Sequence, residues 1–284
     1  MSLSMNAYAK INLAFDIEGR RDDGYHELSS VMQSISLHDE VTVEGSSDNK
    51  ICVYCDEPSL PRDEKNTVYK AASLFFAYAG VENEGVSLSI KKHIPFQSGL
   101  GGGSADAAAA LKLLNRFFCA GLSMEQLCGI ALKVGADVPF CIRCGTAAAE
   151  GIGEKLTAIS PLPDCLILVC KPGFGISTGQ AYCEADKHGF GSKKYSPAMV
   201  KALGCGSLAQ SAACLGNCFE DILGLKEITA VKSAILSAGA LGACMTGSGS
   251  AVFGLFDSSE KAEKCKTGLL TRYKDVFLCK PVRA

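Results

Sequence analysis

"PFQSGLGGGSADAAAAL" at residues 95–111 puts four glycines within five positions, directly ahead of an alanine-rich run that reads as helix. Glycine is the costliest residue to order, so such a cluster marks backbone that turns sharply or approaches something closely. Upstream, "GVSLSIKKHI" (85–94) alternates as a strand does. Downstream, "SADAAAALKLLNRFF" has helical character, with Ser104 expected at the N-cap, where its oxygen accepts a backbone N–H. Strand, glycine loop and helix in that order expose several N–H groups beside the positive end of a helix dipole, which suits a phosphate without any lysine. The loop is neither of the two familiar nucleotide motifs. No Lys follows as in G-x-x-x-x-G-K-[ST], and the G-x-G-x-x-G register begun at Gly99 and Gly101 meets Ser104.

A second glycine and hydroxyl cluster, "MTGSGSAVF" (245–253), lies between two apolar runs. Alone it is a turn; paired with the first it can close over a nucleotide's phosphates. The segment "AYAKINLAFDI" (7–17) alternates: Ala7, Ala9, Ile11, Leu13, Phe15 and Ile17 share one face, and Tyr8, Lys10, Asn12 and Asp16 the other. It predicts a half-buried strand that projects Lys10 and Asn12 together. The "MSLS" ahead of Met5 reads as an appended remnant, with the strand starting just after it.

"DEVTVEG" and "NKICVYC" read as paired strands around an "SSDN" turn. "NTVYKAASLFFAYAG" predicts a helix ending at Gly80. "LSMEQLCGIALKVGADVPF" predicts another, with Ser123 and Gln126 as a capping box and Leu127, Ile130, Ala131 and Val134 as its buried stripe. Because proline cannot continue a helix, "GADVP" predicts a fixed bend that presents Asp137. Gly- and Pro-rich text near 150–164 sets a boundary between two domains, 1–155 and 156–284. Beyond it, short apolar runs such as "CLILVC" alternate with helical segments, as in a small sheet covered by helices.

Composition narrows the function classes. The 284 residues are 48% apolar, and 28 Lys plus Arg stand against 30 Asp plus Glu, so no global basic field favours nucleic acid or an anionic membrane. No run of 18 apolar residues occurs, and the N-terminus lacks a signal-peptide pattern, so the expectation is a cytoplasmic protein. Fifteen scattered cysteines, an odd number, argue against a disulfide framework. The C-x-x-C pairs Cys52/Cys55 and Cys141/Cys144 argue no better for zinc: the first lies on a strand, and the second lacks a glycine-bearing knuckle.

Three segments together resemble the GHMP kinases, the superfamily named for galactokinase, homoserine kinase, mevalonate kinase and phosphomevalonate kinase. They are "AYAKINLAFDIEGRRDDGYHEL", "PFQSGLGGGSADAAAAL" and "CMTGSGSAVFGLF", spread over nearly the whole chain. The combination of A-K-I-N-L, D-G-Y-H and G-A-D-V-P-F is similar to the branch that acts on a CDP-linked methylerythritol. The resemblance implies an α+β, two-domain fold: an N-terminal domain like the second domain of ribosomal protein S five, with a left-handed crossover, and a ferredoxin-like C-terminal domain. It implies transfer of the ATP γ-phosphate to 4-diphosphocytidyl-2-C-methyl-D-erythritol, giving the 2-phosphate and ADP in non-mevalonate isoprenoid precursor biosynthesis. Mg2+ is the expected companion of ATP, with no ligand set assigned and Ser104 a candidate by its proximity to phosphates.

Residue by residue, the resemblance makes Lys10 and Asp137 the catalytic pair. Asp137 would take the hydroxyl proton, and Lys10 would orient it and offset negative charge. Pro95, Phe96, Gln97, Ser98, Gly99, Leu100, Gly101, Gly102, Gly103, Ser104 and Ala105 match the ATP loop, with Asn66 and Lys92 in the adenine pocket. Phe96 and Gln97 depart from the small residues usual there, and Ala105 from a second serine. Asn12 matches a substrate contact, Tyr25 and Tyr182 two aromatics that stack on cytosine, and His26 a reader of its edge. Without that match Tyr182 reads as a loop aromatic. Thr246, Gly247 and Ser248 complete the substrate-binding set. The implied partners are small molecules, with neither nucleic acid nor membrane, in a monomer or homodimer. Two alternatives stand: a kinase for another alcohol such as mevalonate or homoserine, which needs no cytosine-stacking aromatics, and a non-catalytic nucleotide sensor, which needs neither Lys10 nor Asp137.

Overall fold

The computed structural model describes residues 2–190 and 193–284, so Met1 of the "MSLS" segment lies outside the described residues. The chain divides into two compact units that interleave in sequence. One holds the chain up to Ala9, His38–Ile94 and Gly101–Cys144; the other holds Lys10–Leu37, Pro95–Leu100 and Gly145–Ala284. Two long strands, β1 (Ser2–Arg20) and β2 (His26–Gly45), contribute to both. The first begins at Ser2, not just after "MSLS", so "SLS" continues the strand.

In the first unit, β3 (Ile51–Cys55) does not form the expected hairpin with β2. It pairs in parallel with β4 (Val86–Lys91), which in turn pairs antiparallel with Glu40–Gly45 of β2. Parallel neighbours need a crossover, and α1 (Thr67–Ala79) supplies it between β3 and β4. The sequence explains that helix closely. Asn66 caps it, its side chain accepting from the Val68 N–H; Gly80 ends it in the left-handed region; Val68, Ala71, Ala72 and Phe75 form its buried face. Phe76 then packs edge to face against both Phe75 and Phe118.

Helix α2 (Gly102–Phe117) begins three residues earlier than expected, with Gly101 rather than Ser104 as N-cap. Gly101 has φ +72, a left-handed turn that only glycine makes cheaply, so the chain can enter the helix at once and Ser104 falls inside the first turn. Helix α3 (Met124–Val134) carries the predicted Ser123/Gln126 capping box and buries Leu127, Ile130 and Ala131. Val134, the last helical residue before Gly135, is only partly covered. The expected bend at "GADVP" leads straight into a short helix, α4 (Val138–Arg143). Pro139 fits there because first-turn N–H groups have no intrahelical partner to lose.

In the second unit, β5 (Thr146–Gly151) pairs antiparallel with the first half of β2 and with β6 (Lys155–Ala158). A separate antiparallel sheet follows, built from β7 (Leu166–Lys171), β9 (Gly242–Met245), β10 (Val252–Phe256) and β11 (Asp275–Cys279) in the order β11-β7-β10-β9. Between β7 and β9 run α5 (Thr178–His188), α6 (Ser196–Gly204), α7 (Leu208–Ala213), the two-residue β8 (Gly216–Asn217), α8 (Cys218–Leu223) and α9 (Lys226–Ser237). Helix α10 (Ser259–Leu270) joins β10 to β11, so the unit closes as the expected ferredoxin-like β-α-β-β-α-β arrangement. Strand β8 pairs in parallel with β1 at Ala14 and Phe15. One apolar core takes in Phe15 and Ile17 of β1, Phe219 of α8, Val231 and Ile235 of α9, and Val252 and Phe256 of β10. Phe15 stacks on Phe219 with ring centroids 5.3 Å apart.

Candidate active site

Strand geometry puts Lys10 and Asn12 on one face of β1, as the alternation predicts, but that face is not solvated. Every residue from Ala9 to Ile17 is buried, so the expectation of a half-buried strand is corrected. The cause is local to the second unit: both glycine clusters lie against this strand. The Lys10 N–H donates to the Leu100 carbonyl at 2.9 Å, and the Ala251 N–H donates to the Ser98 carbonyl at 3.0 Å. At Gly99, with φ +78, a Cβ would sit 2.1 Å from the Thr246 carbonyl oxygen. No side chain fits there, which is the close approach that the glycine cluster implied.

Beneath the loops runs a buried hydrogen-bond network. Lys10 Nζ donates to Asn12 Oδ1 at 2.8 Å, and Asn12 Nδ2 donates to Ser30 Oγ at 2.9 Å. The Ser30 hydroxyl donates onward to the Ala14 carbonyl at 2.7 Å. The Asn12 N–H donates to Thr246 Oγ1 at 2.9 Å, and that hydroxyl donates back to Asn12 Oδ1 at 3.3 Å. Gly247 crosses directly over the pair: a Cβ there would lie 3.5 Å from Lys10 Nζ and 3.4 Å from Asn12 Oδ1. Ser248 Oγ lies 3.2 Å from Thr178 Oγ1. Asn217 steadies the loop, its Nδ2 donating to the carbonyls of Met245 and Gly247 while its Oδ1 accepts the Phe219 N–H and caps α8.

Within the loop itself, Ser98 is buried and staples the turn, donating to the Pro95 carbonyl at 2.7 Å and accepting the Leu100 N–H at 3.3 Å. Leu100 is fully buried, whereas Phe96 is exposed and Gln97 adopts φ +50. The departures at Phe96 and Gln97 thus fall outside the Ser98–Leu100 segment that is anchored by hydrogen bonds.

In the first unit, no described side chain caps α2, so the first-turn N–H groups of Gly102, Gly103 and Ser104 have no side-chain cap. Ser104 is partly exposed and Ala105 is buried; Thr67 Oγ1 fixes the Gly103 carbonyl at 2.8 Å. Asn66 has both ends of its amide committed, accepting from Val68 and donating to the Pro61 carbonyl at 2.7 Å. Lys92 Nζ lies between Asp39 Oδ2 at 2.5 Å and Asp106 Oδ2 at 2.7 Å. Burial pushes the Asp106 carboxyl up to about 7, with Lys92 opposing. Asp137 takes the N-cap position of α4 without capping it through its side chain.

The D-G-Y-H segment forms a turn held by charge. Arg21 pairs with Asp23 and Glu27, Asp23 Oδ1 accepts the Tyr25 N–H at 3.1 Å, and the Tyr25 ring is 60% exposed. His26 is buried next to it. Its ring stacks on Tyr182 at 4.5 Å and 19°, and its Nε2 lies 2.8 Å from Asp186 Oδ1. Tyr182 sits on helix α5, not on a loop. Four residues later on that helix comes Asp186, one turn along the same face.

Ser30, Asp186, Asn217 and the Asp39–Asp106 pair escape the sequence reading. For Asn217 a signal exists: Asn followed three residues later by Glu220 at the head of "CFEDIL" marks a helix start. For the others the signal is distance in sequence, which spacing within one segment does not reveal.

Among the described residues no group of three His, Cys, Asp or Glu side chains is placed to hold a metal. No helix is long and apolar enough to cross a membrane.

Two family profiles match the chain: "GHMP kinases N terminal domain" over residues 66–145 and "GHMP kinases C terminal" over residues 200–275. The chain is 41% identical over 282 residues to a 4-diphosphocytidyl-2-C-methyl-D-erythritol kinase of Clostridium botulinum (strain Alaska E43 / Type E3), covering 99% of this chain and 100% of that one. The same-named protein of Clostridium beijerinckii is 39% identical, again over 99% of this chain and 100% of its own length. A crystal structure of 4-(cytidine 5'-diphospho)-2C-methyl-D-erythritol kinase superimposes with a TM-score of 0.83 at 31% identity, covering 99% of this chain and 100% of that chain. The chain belongs to the 4-diphosphocytidyl-2-C-methyl-D-erythritol kinase family of the GHMP kinases. It is a kinase, with ATP as its co-substrate. Mevalonate kinase from L. major, at 18% identity and a TM-score of 0.78 over 99% of this chain and 97% of that one, shares the fold.

Proposed function

We propose that the protein transfers the γ-phosphoryl group of ATP to the 2-hydroxyl of 4-diphosphocytidyl-2-C-methyl-D-erythritol, releasing ADP, in non-mevalonate isoprenoid precursor biosynthesis. Identity of 41% along the whole chain to a kinase named for that substrate carries the reading. Phosphoryl transfer asks little covalent chemistry of a protein and much positioning and charge neutralisation. Asp137 accepts the hydroxyl proton. Lys10, oriented by Asn12, offsets the charge that develops on the transferring group. The backbone N–H groups from Gly99 to Ser104 cradle the phosphates, and the loop at Thr246, Gly247 and Ser248 borders the acceptor.

Mg2+ accompanies ATP in this reading. Carried on the phosphates, the ion needs only one or two protein oxygens rather than a cage of side chains, and the partly exposed Ser104 hydroxyl is the candidate. Asn66 and Lys92 are assigned to the adenine side, where their existing partners fix them as walls. Tyr25 and Tyr182 take the two faces of the cytosine ring, and His26 its edge. The proposal also keeps a linear organisation of 1–155 and 156–284, supported by the profile matches at 66–145 and 200–275, and a cytoplasmic location, supported by fifteen free cysteines.

The test is a coupled assay of ADP release with purified protein, ATP and magnesium, offered the CDP-linked methylerythritol, mevalonate or homoserine. Turnover confined to the first is expected; turnover of mevalonate or homoserine instead would move the protein to another GHMP kinase activity, and no turnover of any would favour a nucleotide sensor.

A further inference from the structure

His26 is not held by one contact but boxed in. Its ring stacks on Tyr182 with 19° between planes, its edge meets Phe190 at 5.6 Å between centroids, and its Nε2 touches Asp186 Oδ1 at 2.8 Å. The other oxygen of Asp186 lies 3.4 Å from Arg20 Nη1. The hydrogen bond from His26, helped by the Arg20 charge, holds the Asp186 carboxyl below the usual carboxylate range. An ionised carboxylate has only acceptor sites, so the hydrogen between the two side chains belongs to Nε2. In a neutral imidazole the remaining nitrogen, Nδ1, is then an acceptor.

We infer that Asp186 is a positioning residue that fixes the Nε2–H tautomer of His26, so that the site selects a pyrimidine bearing an amino group over one bearing a carbonyl, cytosine over uracil. The inference rests on the cytidine reading above. The lone pair of an imidazole nitrogen lies in the ring plane, so an amine bound to Nδ1 lies in the plane of His26, and stacking favours a base that shares that plane. Such a base lies within about the same small angle of the Tyr182 plane that His26 already shows, which extends one stack across both rings. The exocyclic amine of cytosine donates to Nδ1. The corresponding oxygen of uracil would face it acceptor to acceptor, with a hydrogen bond lost and repulsion added. A site built on a fixed donor–acceptor pattern discriminates far better than a purely apolar pocket.

The experiment compares the CDP-linked and UDP-linked methylerythritols as substrates of the full-length wild type, Asp186→Asn and Asp186→Glu, together with nitrogen NMR of labelled histidine. The wild type should prefer the cytidine compound by at least about a hundredfold in kcat/KM. An amide at position 186 can accept from Nε2 or donate to it and so permits either tautomer. Asp186→Asn should therefore narrow the preference at least about tenfold, through KM rather than kcat, and Asp186→Glu should restore part of it. In the wild type the His26 proton should be on Nε2. A proton on Nδ1, or an Asp186→Asn enzyme that keeps the wild-type preference, overturns the inference. Absence of turnover with both pyrimidine substrates sinks the function proposed above, and the tautomer then stands or falls on the NMR alone.

Discussion

Lys10 and Lys92 are both largely buried lysines, yet each meets a different kind of partner within its own unit. Lys92 Nζ donates to two carboxylates, Asp39 at 2.5 Å and Asp106 at 2.7 Å, and Asp39 also accepts the backbone N–H groups of His93 and Ile94. Lys10 Nζ donates to the oxygen of a neutral amide, which is itself oriented by Ser30 and Thr246. The first arrangement balances charge locally and ties the end of β4 to α2. The second holds an ammonium against the oxygen of an amide that is itself fixed by two hydroxyls. The difference bears on the proposed roles: a lysine held between two carboxylates ties elements together, whereas one steadied by an amide dipole is the one proposed to meet the charge on the transferring group.

The largest effect that separates the two belongs to catalysis. Lys10→Met should lower kcat by roughly a hundredfold to a thousandfold with little change in thermal midpoint, read by the coupled assay and a melting scan. Asp137→Asn should lose a similar amount or more, about 10² to 10⁴. A Lys10→Met enzyme with normal turnover would break the comparison outright. For Lys92 the loss should appear in stability: Asp39→Ala removes a fully buried partner and should cost about 3–5 kcal/mol in a urea titration. A smaller step is Asn217→Ala, which frees two loop carbonyls and uncaps α8, for about 1–3 kcal/mol.

The comparison is also sharpened through pH. The Asp106 carboxyl is raised to about 7 from an ordinary 3.8, and its Oδ1 has no hydrogen-bond partner among the described residues. The native state therefore binds this proton more tightly than the unfolded chain. That contribution to stability is fully present below about 4 and is lost as pH rises through about 7. Thermal midpoints measured from pH 5 to 8 should fall more steeply in the wild type than in Asp106→Asn, and identical slopes would remove Asp106 as the source.

Much of the fold could be read from local patterns because those features are local in cause. The caps at Asn66 and Ser123, the stop at Gly80 and the apolar stripe of α1 depend on neighbours three or four residues away. The misreadings share the opposite cause. The expected hairpin of β2 and β3 failed because strand partners are chosen by crossover geometry, and α1 intervenes between β3 and β4. Ser104 lost the cap because a left-handed Gly101 lets the helix start sooner. Lys10 and Asn12 could be placed on one strand face from alternation, but their burial depended on loops more than eighty residues away.

The sequence by itself determined the glycine loop, the helix it feeds, the alternation that sets Lys10 beside Asn12, and the motifs shared with the GHMP kinases. Each rests on spacing within a segment, where backbone geometry leaves few options. Only the tertiary structure decided that Gly99 meets Thr246, that Asn217 holds the second loop, that Asp186 grips His26, and that Lys92 is shared by two carboxylates. Those pairs join residues separated by as many as 160 positions, and their proximity is fixed by how sheets and helices pack rather than by any local preference of the chain.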